Sequence, residues 1–134
     1  MKTFDELRET FEFLPDWMDR YAVIIDLGKA LPKSPDDLYE DSNKVTGCMS
    51  QVWVRASVVD GRMHYEGDSD AAIVRGLIGV LFLALQHKRP TEVVEFDLEA
   101  AFAELGLANN LSPNRRNGFY SMIGVMKQAA AGLN

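Results

Sequence analysis

The spacing of apolar residues changes twice along the chain, which divides it into a helical opening, a short β segment and a helical remainder. Thr3 and Glu6 stand at capping-box spacing, so a first helix is expected to open there and stop before Pro15. Asp16 is placed to cap a second helix in which Met18, Tyr21, Ala22, Ile25 and Leu31 recur at helical spacing. Gly28 interrupts that pattern at a cost of about 1 kcal/mol against alanine. Leu31-Pro32 and Ser34-Pro35-Asp36-Asp37 end the helix and lead through a polar connector to about Asn43.

The period then becomes two. Val52, Val54, Ala56 and Val58 alternate with Gln51, Trp53, Arg55 and Ser57, which predicts a strand. Asp60-Gly61 is a hairpin turn pair, because both residues tolerate positive φ, and Arg62 to Glu66 returns as the partner strand. A shorter strand at Lys44 to Thr46 would complete a three-stranded antiparallel sheet, with Gly47-Cys48-Met49 as the connection.

Helical spacing resumes after Asp68-Ser69-Asp70, whose side chains can cap a helix running to about His87. Ile73, Val74, Leu77, Ile78, Leu81 and Leu85 form its inner face, and Arg75, Gly79, Phe82 and Gln86 a more exposed one. Thr91 or Asp97 can start short helices through Leu105, and Ser112-Pro113 opens a last helix. The order predicts an α+β fold, a small antiparallel sheet with helices against one face, in a single domain over residues 1–134.

Composition narrows the class. Twenty acids against 14 bases give a net charge of −6, which argues against non-specific nucleic-acid binding. The longest apolar stretch, Ala71 to Leu85, contains Arg75 and is shorter than the ~20 residues that span a bilayer, so a buried helix is expected. The start Met1-Lys2-Thr3-Phe4-Asp5-Glu6 carries acids where a secretory leader is apolar, and the chain has one cysteine. A reducing, cytoplasmic setting is the expectation.

That cysteine, Cys48, carries the candidate chemistry. It cannot pair within the chain, nor hold a metal or iron–sulfur cluster alone, since such sites need about three or four ligands. A nucleophile, a sulfur acceptor and an inert core thiol all remain open on chemistry alone. Its place after a glycine, in a connection just before a strand, is where functional groups concentrate. Asp68 and Asp70 read first as helix-capping acids, and His64 and His87 lack further ligands at metal-binding spacing. Arg115 and Arg116 oppose the dipole at the start of the last helix, which hints at a partner or an internal carboxylate. Met49 and Trp53 flank the cysteine as contact surface or core.

Four segments resemble a known family, in its order. Asn43-Lys44-Val45-Thr46-Gly47-Cys48-Met49-Ser50-Gln51-Val52-Trp53 is similar to the N-x-V-x-G-C-x-S-x-V-W signature of the SufE family. Asp26-Leu27-Gly28-Lys29-Ala30-Leu31-Pro32 resembles its L-G-x-x-L-P helix end. Gly67 to Leu77 is similar to its G-D-S-D-A-x-I-V-x-G-L segment, and Leu111 to Gly118 to its late L-[ST]-P-S-R-x-x-G motif. The resemblance spans about Trp17 to Ala130. Two departures stand out: Asn114 and Arg116 in the late motif, and Met49 at a position often polar.

The resemblance implies the fold of the U-type iron–sulfur scaffold proteins and a sulfur acceptor without a cofactor or metal of its own. Cys48 would take sulfur from a SufS-like, pyridoxal-phosphate-dependent cysteine desulfurase, stimulate that enzyme, and pass the sulfur to a SufBCD-like cluster scaffold. A CsdE-like acceptor serving a second desulfurase is the alternative within the class; a thiol redox protein and a non-catalytic binding module are alternatives outside it. Gly47, Met49, Ser50 and Gln51 would form the acceptor loop, with Asp70 controlling it and Arg115 holding it or meeting the desulfurase. Met49 would help shield the thiol, which leaves an apolar pocket on docking. No nucleic acid or membrane is expected among the partners, and a homodimer is compatible with the sequence.

Overall fold

In the computed structural model, which describes residues 1–132, the chain forms helices α1 (Phe4–Phe13) and α2 (Trp17–Lys29) and then a hairpin of β1 (Val52–Val59) and β2 (Arg62–Ser69). Helices α3 (Ala72–Leu85), α4 (Pro90–Glu95), α5 (Leu98–Glu104) and α6 (Pro113–Gly132) follow. The last two residues of the expected 1–134 domain lie outside the described residues. Side-chain caps begin several helices. Thr3 Oγ1 accepts from Glu6 N at 3.1 Å, Asp16 Oδ1 from Met18 N at 2.9 Å, and Ser112 Oγ from Arg115 N at 3.3 Å.

Helix α3 is the centre of the packing. Ile73, Val74, Leu77, Ile78, Leu81 and Leu85 are buried as their spacing predicts. Gly76, Gly79 and Val80 are buried as well, so the expectation of a more exposed face at Gly79 is corrected. Helix α2 lies on that side. A Cβ on Gly28 would stand 2.6 Å from Gly76 N, and one on Gly76 would stand 2.7 Å from the Ile24 carbonyl carbon. Gly28 is therefore no defect: it lets two helix backbones touch. The same contact shifts the inner face of α2 to Ile24 and Gly28, leaving Met18 74% exposed and Ala22 exposed.

The hairpin turns at Asp60-Gly61, with φ of 52° and 75°, and pairs Val59 with Arg62 through to Val52 with Ser69. Among the described residues the sheet has two strands, not three. Lys44 makes only an isolated bridge to Trp53, with Val45 N donating to Val52 O at 2.8 Å. A 3-10 turn over Asp41–Asn43 precedes this point and Gly47, with φ of 86°, follows it, so the segment has no length left for a strand.

Two further boundaries move for hydrogen-bonding reasons. Strand β2 continues to Ser69, so Asp68 and Ser69 are strand residues; Ala71 is the N-cap of α3, with no side-chain cap bond. Helix α3 stops at Leu85, short of His87, because the next residues serve the outer edge of β2. Gln86 bonds both ways with the Tyr65 backbone, Tyr65 N to Oε1 at 2.6 Å and Nε2 to Tyr65 O at 2.8 Å. Met63 N donates to Lys88 O at 2.7 Å and His87 N to Met63 O at 3.0 Å. A segment too short to be a strand thus satisfies an edge.

Val52, Val54, Met63 and Tyr65 form the buried face of the sheet, and Phe119, Met122 and Met126 of α6 join them in the core. The Tyr65 hydroxyl donates to Met126 O at 2.8 Å. On the other face Arg55 holds Glu66 at 2.8 Å and Asp37 at 2.9 Å, which fixes the 3-10 turn at Asp36–Tyr39 over the hairpin.

Candidate functional site

Cys48 lies on the loop between the Lys44 bridge and β1, and the start of α6 forms the wall it faces. Its sulfur is 3.7 Å from the Gly118 carbonyl oxygen, a weak S–H hydrogen bond, and the residue is half-buried. Beside it opens a cavity of about 360 Å³. Val52, Val74, Leu77, Phe119 and Met122 make its apolar floor; Ser50, Ser112, Asn114 and Arg115 make its polar rim.

Glycines set the fit on both sides of the sulfur. A Cβ on Gly118 would stand 3.3 Å from Cys48 Sγ, tighter than ordinary van der Waals contact. Gly47, at φ 86°, carries the turn that brings the loop in, and a Cβ there would meet Ser121 Oγ at 2.8 Å. The far end of the loop is held by Asp70, whose Oδ1 accepts from Gln51 N at 3.0 Å, while Asp70 N donates to Gln51 O at 3.3 Å. Asp70 caps nothing on α3. Its carboxylate ties the loop to the β2–α3 junction.

Asp68 likewise is not a helix cap. Its Oδ1 lies 2.9 Å from Arg75 Nε, an ion pair without hydrogen-bond geometry, and its other oxygen accepts from the Tyr39 hydroxyl. That bond, with burial, raises the Tyr39 pKa above its ordinary value. The Tyr39 ring meets Trp53 edge-on at 5.0 Å, so Trp53 is half-buried support under the start of β1.

Electrostatically the site favours a neutral thiol. Burial pushes the Cys48 pKa up, and the Gly118 peptide presents its oxygen end to the sulfur. Arg115 is the single charged residue lining the cavity among the described residues. Arg116 turns away and donates to Ala108 O at 3.1 Å, so the two arginines of the late motif divide: one at the site, one in the scaffold. The other nearby cations do not reach the sulfur's cavity: Arg55 is committed to Glu66 and Asp37, and Lys44 is exposed.

Gly47, Cys48, Met49, Ser50, Gln51, Asp70 and Arg115 are thus brought to one region, but Met49 stands 81% exposed on the rim. The expectation that it shields the thiol is corrected, since α6 covers the sulfur instead. The sequence placed Val74 and Leu77 on the inner face of α3 and Gly118 at the end of the late motif, but gave none of these, nor Phe119 and Met122, a place beside the thiol. Gly118, a poor helix former one turn inside a well-capped helix, was the available signal. Among the described residues no group of three or more His, Cys, Asp or Glu could hold a metal, and the His64 and His87 rings, 6.3 Å apart, stand without a third ligand. No described helix is long and apolar enough to cross a membrane.

The fold and site define a small α+β protein that presents one shielded thiol on a loop at the edge of a cavity. Residues 5–130 match the model of the SufE family, the Fe-S metabolism associated domain, and the chain belongs to that family. An uncharacterized SufE-like protein of Rhizobium meliloti (strain 1021) is 40% identical over 136 residues, covering 98% of this chain and 97% of its own. Another, from Rhizobium etli, is 40% identical over 134 residues, covering 97% and 90%. The solution structure of a hypothetical protein from Thermus thermophilus superposes with a TM-score of 0.80 at 21% identity, over 96% of this chain and 93% of that one, and so shares the fold.

Proposed function

We propose that this protein is a sulfur carrier that receives the outer sulfur of a cysteine desulfurase persulfide on Cys48 and hands it to an iron–sulfur cluster scaffold. The observation that carries the reading is the position of the chain's one thiol: on the family's signature loop, half-buried beside a cavity with an apolar floor and a cationic rim. In the transfer the Cys48 thiolate attacks the outer sulfur of the donor persulfide. A sulfur–sulfur bond forms on Cys48, the donor's breaks, and the donor cysteine leaves as a thiolate. The persulfide proton travels with the transferred sulfur, and nothing is oxidised or reduced overall.

The donor is a SufS-like pyridoxal-phosphate enzyme, whose turnover rises as its product sulfur is removed; a CsdE-like pairing with a second desulfurase uses the same chemistry. A SufBCD-like scaffold is the recipient, in the cytoplasm, and residues 1–134 act as one domain. Gly47 and Asp70 set the two ends of the acceptor loop, Met49, Ser50 and Gln51 present it, and Arg115 offers a cation to the sulfur or the partner. A peroxidatic or redox-sensing thiol calls for a cation or N–H donor fixed beside its sulfur, whereas the hydrogen bond that the Cys48 sulfur makes is to the Gly118 carbonyl oxygen.

The test is intact mass spectrometry after mixing with a purified cysteine desulfurase and cysteine. A gain of about 32 Da on Cys48, lost in Cys48→Ser, is expected from the exchange chemistry. Unchanged mass and unchanged desulfurase turnover across SufS-like and CsdE-like partners would refute the proposal, and oxygen adducts with peroxide alone would favour the redox protein.

A further inference from the structure

From the contact between Cys48 and the last helix we infer that Gly118 is a positioning residue that distinguishes the empty carrier from the loaded one. It holds Cys48 retracted as a neutral thiol and releases it as an anion. Two properties of Gly118 combine. Having no Cβ, it leaves the sulfur a seat that a methyl group would invade at 3.3 Å from Sγ and 3.8 Å from the Cys48 Cβ. Its carbonyl, 3.7 Å from the sulfur, offers an acceptor and no donor. Carbonyl oxygens have two lone pairs, so a helical carbonyl can take a side-chain S–H beside its backbone bond.

An acceptor-only seat selects by protonation state. The thiol has a hydrogen to give; the thiolate has none and meets the negative end of a peptide dipole. Of the groups lining the cavity, Val74 and Leu77 from α3, Val52 from β1 and Phe119 and Met122 from α6 are apolar, and Ser50, Ser112 and Asn114 stand with Arg115 on the polar rim; the hydrogen bond that the sulfur makes is to the Gly118 carbonyl. Asp70 is occupied by the Gln51 amide, and Arg115 sits on the rim, toward which an anion leaving Gly118 would move.

The loaded half of the inference rests on the sulfur-carrier reading. A persulfide is more acidic than the parent thiol, because its conjugate base is a sulfur anion on a weakly electron-withdrawing disulfide-like group. At neutral pH it is largely an anion where this thiol is not. Taking up sulfur therefore costs Cys48 the hydrogen it gives to Gly118, and the loop loses one of its anchors when there is cargo to deliver.

Gly124 supplies the control, since it lies on the same helix with nothing within 4 Å of an added Cβ. Cys48 alkylation by iodoacetamide is followed by intact mass over a pH series in wild type, Gly118→Ala and Gly124→Ala. Gly118→Ala should react about two- to tenfold faster near neutral pH, the range one net hydrogen bond is worth, with its pH midpoint moved down. Gly124→Ala should match wild type. Equal rates and midpoints in Gly118→Ala and wild type would overturn the inference, as would equal acceleration by both alanines.

Wild type loaded chemically with inorganic polysulfide is then compared with the unloaded protein by hydrogen–deuterium exchange at residues 47–51. Faster exchange after loading, and fast exchange in Gly118→Ala before and after, are expected; no change on loading in wild type would overturn the release step. Neither arm uses a desulfurase. Failure of every desulfurase to load Cys48, with both arms positive, would remove the carrier reading and leave the role of Gly118 standing.

Discussion

Replacing Gly76 by alanine should destabilise the protein although alanine is the better helix former, because the added methyl has nowhere to go. Its Cβ would lie 2.5 Å from Ile24 Cγ2 and 2.7 Å from the Ile24 carbonyl carbon, and the Gly28 side of the crossing is as close. Backbone on backbone cannot relax by a rotamer change, so α2 must move off α3. Overpacking of this kind costs about 1–3 kcal/mol, and a rigid contact belongs at the upper end. Helix propensity offsets about 1 kcal/mol. Gly124→Ala removes the ambiguity, since it gains the same propensity term with open space around its Cβ. The difference between the two variants isolates the crossing, at about 3 kcal/mol. At about 3–5 °C per kcal/mol for a chain of this size, Gly76→Ala should melt about 10 °C below Gly124→Ala in a calorimetric scan. Equal melting temperatures, or a Gly76→Ala variant above wild type, would refute the close-crossing account.

Two smaller perturbations test the loop and the core. Asp70→Ala removes the acceptor for the Gln51 amide at an exposed position, so stability should fall by no more than about 1 kcal/mol while amide exchange at Gln51 and alkylation of Cys48 both accelerate; unchanged alkylation would separate Asp70 from the thiol. Burial raises the Tyr65 hydroxyl to a pKa of about 12, above the unfolded value of 10.0, so its contribution to stability is fully present below pH 10 and is lost as pH rises toward 12. Tyr65→Phe should therefore lower the urea midpoint near pH 8, through loss of the bond to Met126 O, and flatten its fall above pH 10; a parallel fall in both proteins would refute the assignment.

Helix starts and the hairpin were legible because each is encoded locally. Thr3, Asp16 and Ser112 cap where their side chains predict, and Asp60-Gly61 turns the hairpin. Wherever a residue works across the chain, local reading failed. Asp68 and Asp70 stand where caps are expected, but the strand runs on through Ser69 and their carboxylates serve Arg75, Tyr39 and Gln51. The face of α2 was misphased because its closest contact is made by Gly28, which no hydrophobic count registers. At the site, the loop around Cys48 and the nearness of Asp70 and Arg115 to it were legible by family resemblance, whereas the cover that Gly118 and Met122 of α6 give the thiol was not. Nothing in the spacing of Gly118 and Met122 says that a loop 70 residues earlier packs there.

Both decisive glycine contacts use the absence of a Cβ, yet they differ in what yields. At Gly76 the neighbour is the backbone of a packed helix, so an added methyl is resisted by the whole α2–α3 crossing and the cost appears as stability. At Gly118 the neighbour is a side chain on a loop anchored mainly by Gly47 and Asp70, so the same methyl moves the side chain and the cost appears as thiol reactivity. A rigid crossing beside a yielding one is what the proposed carrier role would require. Val74 and Leu77 of α3 floor the cavity, and Gly76 on that same helix packs against α2, so the proposed release of the sulfur would leave the cavity wall in place. Tightening the loop and stiffening the core are therefore separable: Gly76→Ala should lower melting temperature without changing Cys48 alkylation below the transition, and Gly118→Ala should do the reverse.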